Sequence, residues 1–163
     1  MGDSKPKYVI DTCSLTELRR RYPNDVFPGA WEALTDMANS GMLISSTEVK
    51  LELETQDDQV TDWARKHSII FVPLLPLIQE KAREILSAFP NLIDDKNLKS
   101  SADPFLIATA HVNGCTIVTE EMPSGKGANF VKIPNVCAEL GISCINLVEL
   151  LRIEKVKLEI KRN

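Results

Sequence analysis

Lys7-Tyr8-Val9-Ile10-Asp11-Thr12-Cys13-Ser14-Leu15-Thr16-Glu17 changes its pattern midway. Tyr8, Val9 and Ile10 form an apolar run suited to a buried strand, and the run stops on an acid, Asp11. Ser14-Leu15-Thr16-Glu17 has the Ser-x-x-Glu spacing of a capping box, so a helix is expected to open there. The same unit recurs down the chain. Met42-Leu43-Ile44 precedes Ser45-x-x-Glu48, a second capping-box pattern leading into Val49, Leu51 and Leu53. Ile69-Ile70-Phe71-Val72 reads as a strand stopped by Pro73 and followed by an amphipathic helix over 77–89. Cys115-Thr116-Ile117-Val118-Thr119 comes after the apolar helix 105–111 and an Asn113-Gly114 turn, and it ends on Glu120-Glu121. Cys144-Ile145-Asn146 is a last strand before a helix over 147–153. Further helices are expected over 28–40, with Trp31, Leu34, Met37 and Ala38 at helical spacing, over 57–66 around Val60 and Trp63, and over 136–140 closed by Gly141. Strands alternating with helices predict a three-layer α/β/α sandwich with a mostly parallel central sheet and right-handed crossovers.

The chain has 163 residues, 44% hydrophobic and 26% charged, which suits one domain over 1–154. The tail 155–163 alternates Val156, Leu158 and Ile160 with charges and fits an edge strand, a partner-binding arm or a disordered end. The stretch 90–101 reads as a polar connection carrying Asp94, Asp95, Lys96 and Lys99. The longest uncharged stretch, 68–79, is too short to span a bilayer and holds Pro73 and Pro76, and no apolar signal follows the N-terminal Met-Gly-Asp-Ser-Lys. A cytoplasmic protein without membrane partners is expected.

Net charge is −4, from 19 basic and 23 acidic residues, which argues against a broad electrostatic grip on nucleic acid but leaves room for a local basic patch. Arg19-Arg20-Arg21 is such a run; it either complements the dipole of the first helix or contacts a partner. Cys13, Cys115, Cys137 and Cys144 contain no CxxC pair and make no ligand spacing with His67 or His111, so reduced thiols are expected rather than a zinc site. Ser124-Gly125-Lys126-Gly127 lacks the spacing of a phosphate-binding P-loop and reads as a loop.

In an open parallel sheet the working crevice lies at the carboxyl ends of the strands. Asp11 and Glu121 fall at such ends, Asp103 begins the helix leading into the Cys115 strand, and Glu52 lies in the helix after Ile44. Four carboxylates brought together without cations raise one another's pKa, so a cluster of this kind makes physical sense as a site for Mg²⁺ or Mn²⁺, whose preferred ligands are carboxylate oxygen and water. Each acid also has a plainer role: Asp11 as a turn or cap with Thr12, Asp103 as an N-cap before Pro104, Glu52 as a solvated helix residue.

Four motifs carry a resemblance. Tyr8-Val9-Ile10-Asp11-Thr12-Cys13-Ser14-Leu15 resembles the opening strand of a PIN domain. Val49-Lys50-Leu51-Glu52-Leu53 resembles its helical V-x-x-E-L segment, Ala102-Asp103-Pro104-Phe105-Leu106-Ile107-Ala108 its A-D-x-x-L-I-A segment, and Val118-Thr119-Glu120-Glu121 its V-T-x-D strand end. The match covers roughly residues 7–150 and is nearest to a largely uncharacterised prokaryotic PIN-like family related to the toxin ribonucleases of type II toxin–antitoxin systems. That resemblance implies a Mg²⁺- or Mn²⁺-dependent endoribonuclease in which Asp11, Glu52, Asp103 and Glu121 hold metal and Thr12 and Thr119 assist. The partners it implies are RNA, an antitoxin protein and a second copy of the chain. The usual final Asp is Glu121 here, with Glu120 as an adjacent competitor. The alternative is a catalytically silent PIN-like interaction module whose acids serve as helix caps.

Overall fold

The computed structural model describes residues 5–56, 58–93, 101–159 and 162. The residues Asp94, Asp95, Lys96 and Lys99 of the polar connection therefore lie outside the described residues, as do Asp57 and Ile160.

Five strands, β1 (Tyr8–Ile10), β2 (Leu43–Ser46), β3 (Phe71–Val72), β4 (Thr116–Val118) and β5 (Cys144–Ile145), form one sheet in the order β3-β2-β1-β4-β5, with every pairing parallel. Among the described residues eight α-helices flank it: α1 (Thr12–Arg21), α2 (Pro28–Asn39), α3 (Thr47–Glu54), α4 (Gln59–Lys66), α5 (Pro76–Ala88), α6 (Asp103–Asn113), α7 (Ile133–Leu140) and α8 (Leu147–Ile153). This is the three-layer α/β/α sandwich the alternation predicts. Val9, Ile10, Ile117 and Val118 are wholly buried, as central strands of a parallel sheet covered on both faces must be. Right-handed crossovers place α1 to α4 on one face and α5 to α7 on the other; accordingly α1, α3 and α4 touch one another, and α6 touches α5 and α7.

The order also locates the site. From β1 the chain steps outward through β2 to β3, then returns to add β4 on the other side of β1. Tyr8 and Ile10 of β1 pair with Thr116 and Val118 of β4. The β1/β4 boundary is thus the topological switch point, where the loops leaving the two strands diverge and open a crevice.

Several local expectations shift. α1 opens at Thr12 because Asp11 is itself the N-cap, with extended backbone (φ −89°, ψ 156°) and a carboxylate that accepts from the Thr12 amide; Ser14 is therefore buried inside the helix rather than capping it. Ser46, not Ser45, caps α3, since the Ser45 hydroxyl is spent on the Ile10 carbonyl at 2.6 Å. Ser68–Ile70 is a 3-10 turn, which shortens the third strand to Phe71–Val72. α7 begins at Ile133 with Pro134 in its first turn, where proline lacks no needed donor.

The described part of the tail, 155–159 and 162, forms no strand. Lys155 takes a left-handed φ of 56°, and the Lys155 and Val156 amides donate to the Arg152 and Leu151 carbonyls, closing α8 with a Schellman turn. Val156 then packs on the core, and Tyr8 Oη donates to Glu154 Oε1 at 2.5 Å, tying the end of α8 to the first strand.

Candidate metal centre

β1 delivers Asp11 and β4 delivers Thr119, Glu120 and Glu121 to the same end of the sheet, while α3 contributes Glu52 and the first turn of α6 contributes Asp103. A cavity of about 720 Å³ opens there, and Asp11, Glu52, Asp103, Glu120 and Glu121 all line it. Thr12 and Thr119, the two hydroxyls expected to assist, both stand on carboxylates. Thr12 Oγ1 donates to Glu52 Oε2 at 2.6 Å, and Thr119 Oγ1 donates to Asp11 Oδ2 at 3.0 Å.

Asp11 is 6% exposed. Its Oδ1 accepts from the Thr12 amide at 2.7 Å, and its Oδ2 also accepts from the Cys13 thiol at 2.8 Å. Those bonds favour the ionised form, yet burial outweighs them and raises the pKa. Cap and cluster member are therefore one residue in two roles.

Asp103 differs. The cap position of α6 belongs to Ala102, whose backbone is already helical (φ −78°, ψ −23°), and no side chain caps this helix. Asp103 thus sits one step inside the first turn, 7% exposed, with no hydrogen bond from any described residue. The expected capping role is absent because the chain turns helical a residue earlier than Asp103-Pro104 suggests. Burial pushes its carboxyl up to about 9, and the charges of Asp11, Glu121 and Glu52 push the same way, with Lys132 opposing them.

Glu52 is half-buried rather than solvated. Burial raises its pKa, and the Thr12 hydrogen bond and the nearby Ala102 amide hold it down; no hydrogen bond of normal geometry reaches Oε1, which is buried without a partner.

The adjacent glutamates separate. Glu120 Oε1 accepts from the Leu147 amide at 2.8 Å, at the start of α8, and from Ser14 Oγ at 3.3 Å. Glu121 Oε2 accepts from the Ile133 amide at 3.0 Å, at the start of α7, and Oε1 lies 3.5 Å from Lys132 Nζ. Glu121 is the one whose charge raises both Asp11 and Asp103.

Among the described residues no three such side chains stand in ready ligating geometry. The chemistry of the set nevertheless fits a hard divalent cation: the donors are oxygens, one buried carboxylate oxygen has no partner, and burial together with the neighbouring carboxylate charges holds Asp103 near 9.

Sequence reasoning missed two participants. The Cys13 thiol bridges Asp11 to the far strand, since its sulfur accepts from the Glu120 amide and contacts Thr119 Oγ1, both at 3.2 Å; its only signal is a position two residues after a buried acid. Lys132 is the ammonium that opposes the cluster, and nothing local marks it.

No curated protein matches the chain. Residues 8–158 match the family model described as "Domain of unknown function (DUF4411)". Since that match spans nearly the whole of the sheet and its helices, the chain belongs to the DUF4411 family.

Proposed function

We propose that this protein is a PIN-like endoribonuclease that uses Mg²⁺ or Mn²⁺ and acts as the toxin of a toxin–antitoxin pair, with RNA as substrate and an antitoxin protein as partner. One observation carries the reading. At the switch point of the sheet, Asp11, Glu52, Asp103 and Glu121 share one open cavity, and Asp103 is held at about 9 first by burial and then by the charges of Asp11, Glu121 and Glu52, which Lys132 only partly compensates. A divalent cation bound there supplies that compensation, lowers the pKa of a bound water and neutralises phosphate charge. The chain's own residues do the holding. Thr12 orients Glu52, and Thr119 and Cys13 orient Asp11. Lys132 draws Glu121 toward the start of α7.

The test is a melting curve with and without Mn²⁺, run beside cleavage of a single-stranded RNA. Binding specific to the native state must raise the melting temperature, by about 2.7 kcal/mol of added stability at a hundredfold excess over Kd. A rise together with cleavage that EDTA abolishes supports the nuclease.

A second reading has an observation of its own: Asp11, Glu120 and Glu121 each accept from a backbone amide at the start of a helix. That arrangement suits a catalytically silent interaction module. It predicts an unchanged melting temperature in Mn²⁺ and no cleavage.

A further inference from the structure

The three arginines ending α1 have different fates. Arg19 pairs with Asp58 at 3.3 Å, and Arg21 pairs with Glu17 at 2.5 Å. Arg20 is exposed, pairs with no described acid, and lines the same cavity as the carboxylates. Thr12, Thr16 and Arg20 recur every four residues and so share one face of α1. Thr16 lines the cavity beside Arg20, and across from them stands Gln56, just beyond α3. The Thr16 hydroxyl and the Gln56 side-chain amide make no hydrogen bond to any described residue. Beside the acids the Thr12 and Thr119 hydroxyls and the Cys13 thiol are all spent on carboxylates; one to two helical turns away there are an unspent hydroxyl, an amide and a guanidinium.

We infer that Thr16, Gln56 and Arg20 form a strand-binding subsite, with Arg20 gripping a backbone phosphate of a polynucleotide whose scissile bond lies over the carboxylates. This rests on the nuclease reading and names where its substrate is held away from the reacting phosphate. An unpaired guanidinium matches phosphate in charge and in fork geometry. A helix rises about 1.5 Å per residue, which puts Arg20 about 12 Å along α1 from Thr12. A stacked strand advances about 3.4 Å per nucleotide, so the gripped phosphate falls a few nucleotides from the cut. The subsite therefore favours an oligonucleotide over a dinucleotide, which reaches only the acids.

The experiment uses the full chain, with a fluorescein-labelled single-stranded RNA oligonucleotide for binding in Ca²⁺ and for cleavage in Mn²⁺. Arg20→Gln is expected to weaken oligonucleotide binding about tenfold and to reduce the slope of log affinity against log salt by about 0.7, the single-strand value for one phosphate contact. KM rises with kcat unchanged, dinucleotide cleavage stays at the wild-type rate, and Arg20→Lys recovers most of the salt slope. Gln56→Ala weakens binding without altering that slope. Equal KM and salt slope for Arg20→Gln and wild type, with cleavage intact, overturn the subsite and leave the nuclease standing. A wild-type protein that neither binds nor cleaves the oligonucleotide removes both. Displacement of the oligonucleotide from wild type by a polyglutamate peptide that Arg20→Gln no longer binds overturns the inference and assigns the cleft to an acidic protein segment.

Discussion

Thr12 Oγ1 and Glu52 Oε2 meet at 2.6 Å across the gap between α1 and α3, forty positions apart in the chain. The bond takes one oxygen of a half-buried carboxylate and leaves the other, Oε1, without a partner. Replacing the hydroxyl by a methyl of the same shape, Thr12→Val, should cost about 1 kcal/mol of stability at neutral pH. Freed from its orienting partner, Glu52 should also lower Mn²⁺ affinity 10- to 100-fold, as loss of an outer hydrogen-bond partner commonly does at a metal site. Thr12→Ser should restore both. Calorimetric titration and melting curves of the three proteins decide it; equal Mn²⁺ affinity for Thr12→Val would sink this role.

Asp103 governs a pH dependence. Its carboxyl titrates near 3.8 in an unfolded chain and at about 9 in the fold. Between those values the folded state keeps a proton that the unfolded chain has released. Its contribution to stability is fully present below about 3.8 and is lost as pH rises through 9. Asp11 and Glu52 shift in the same direction. Asp103→Asn, which cannot ionise, should melt higher than wild type at pH 8, with the gap widening toward pH 9. Metal must displace the same proton, so Mn²⁺ affinity of the wild type should climb by up to about tenfold per pH unit below 9. Urea melts of both proteins from pH 5 to 9 check this: a stability difference that stays flat with pH would show the carboxyl to be ionised throughout.

Asp11→Asn should keep the fold within about 1 kcal/mol, because Asn caps a helix about as well as Asp and has nearly the same volume. RNA cleavage should drop by more than about 100-fold, beyond the usual cost of disturbing a ligand's supporting partners. The stabilisation by Mn²⁺ should vanish with it. Wild-type cleavage by this variant would remove Asp11 from the ligand set.

Glu120 and Glu121 are chemically identical and should respond differently. Gln at 120 keeps an acceptor for the Leu147 amide and Ser14, and Glu120 is not among the charges acting on Asp103. Glu121→Gln should lower the Asp103 titration and lose the greater share of cleavage, whereas Glu120→Gln should change either by less than about threefold. Rates for both variants over a Mg²⁺ titration provide the comparison; a metal-rescuable defect confined to Glu120→Gln would show the other glutamate to be the ligand.

The sheet was readable because its strands centre on short apolar runs, as Tyr8-Val9-Ile10 and Thr116-Ile117-Val118 show, although the run at Ile69-Ile70 turns before the third strand begins. Helix starts were less so, since Ser45 has the capping-box spacing to Glu48, yet its hydroxyl is drawn to the Ile10 carbonyl and Ser46 caps instead. The acids were readable one by one from their places after strands. Their coupling was not: Cys13 reaching Thr119 and Lys132 opposing Asp103 join groups far apart in the chain, and no local pattern reports such pairs.

Asp11 and Thr119, joined at 3.0 Å, are 108 positions apart. A ribosome adding about 5–20 residues per second exposes the first of them several seconds before the second. During that interval the emerging polypeptide gains Asp11, Glu52 and Asp103 but none of the groups that follow the fourth strand. A message cut short, or a translation stalled before Glu121, yields a fragment with an incomplete centre. The assembled cluster, and any chemistry proposed for it, exists only once Glu121 has been synthesised and the returning strand has docked.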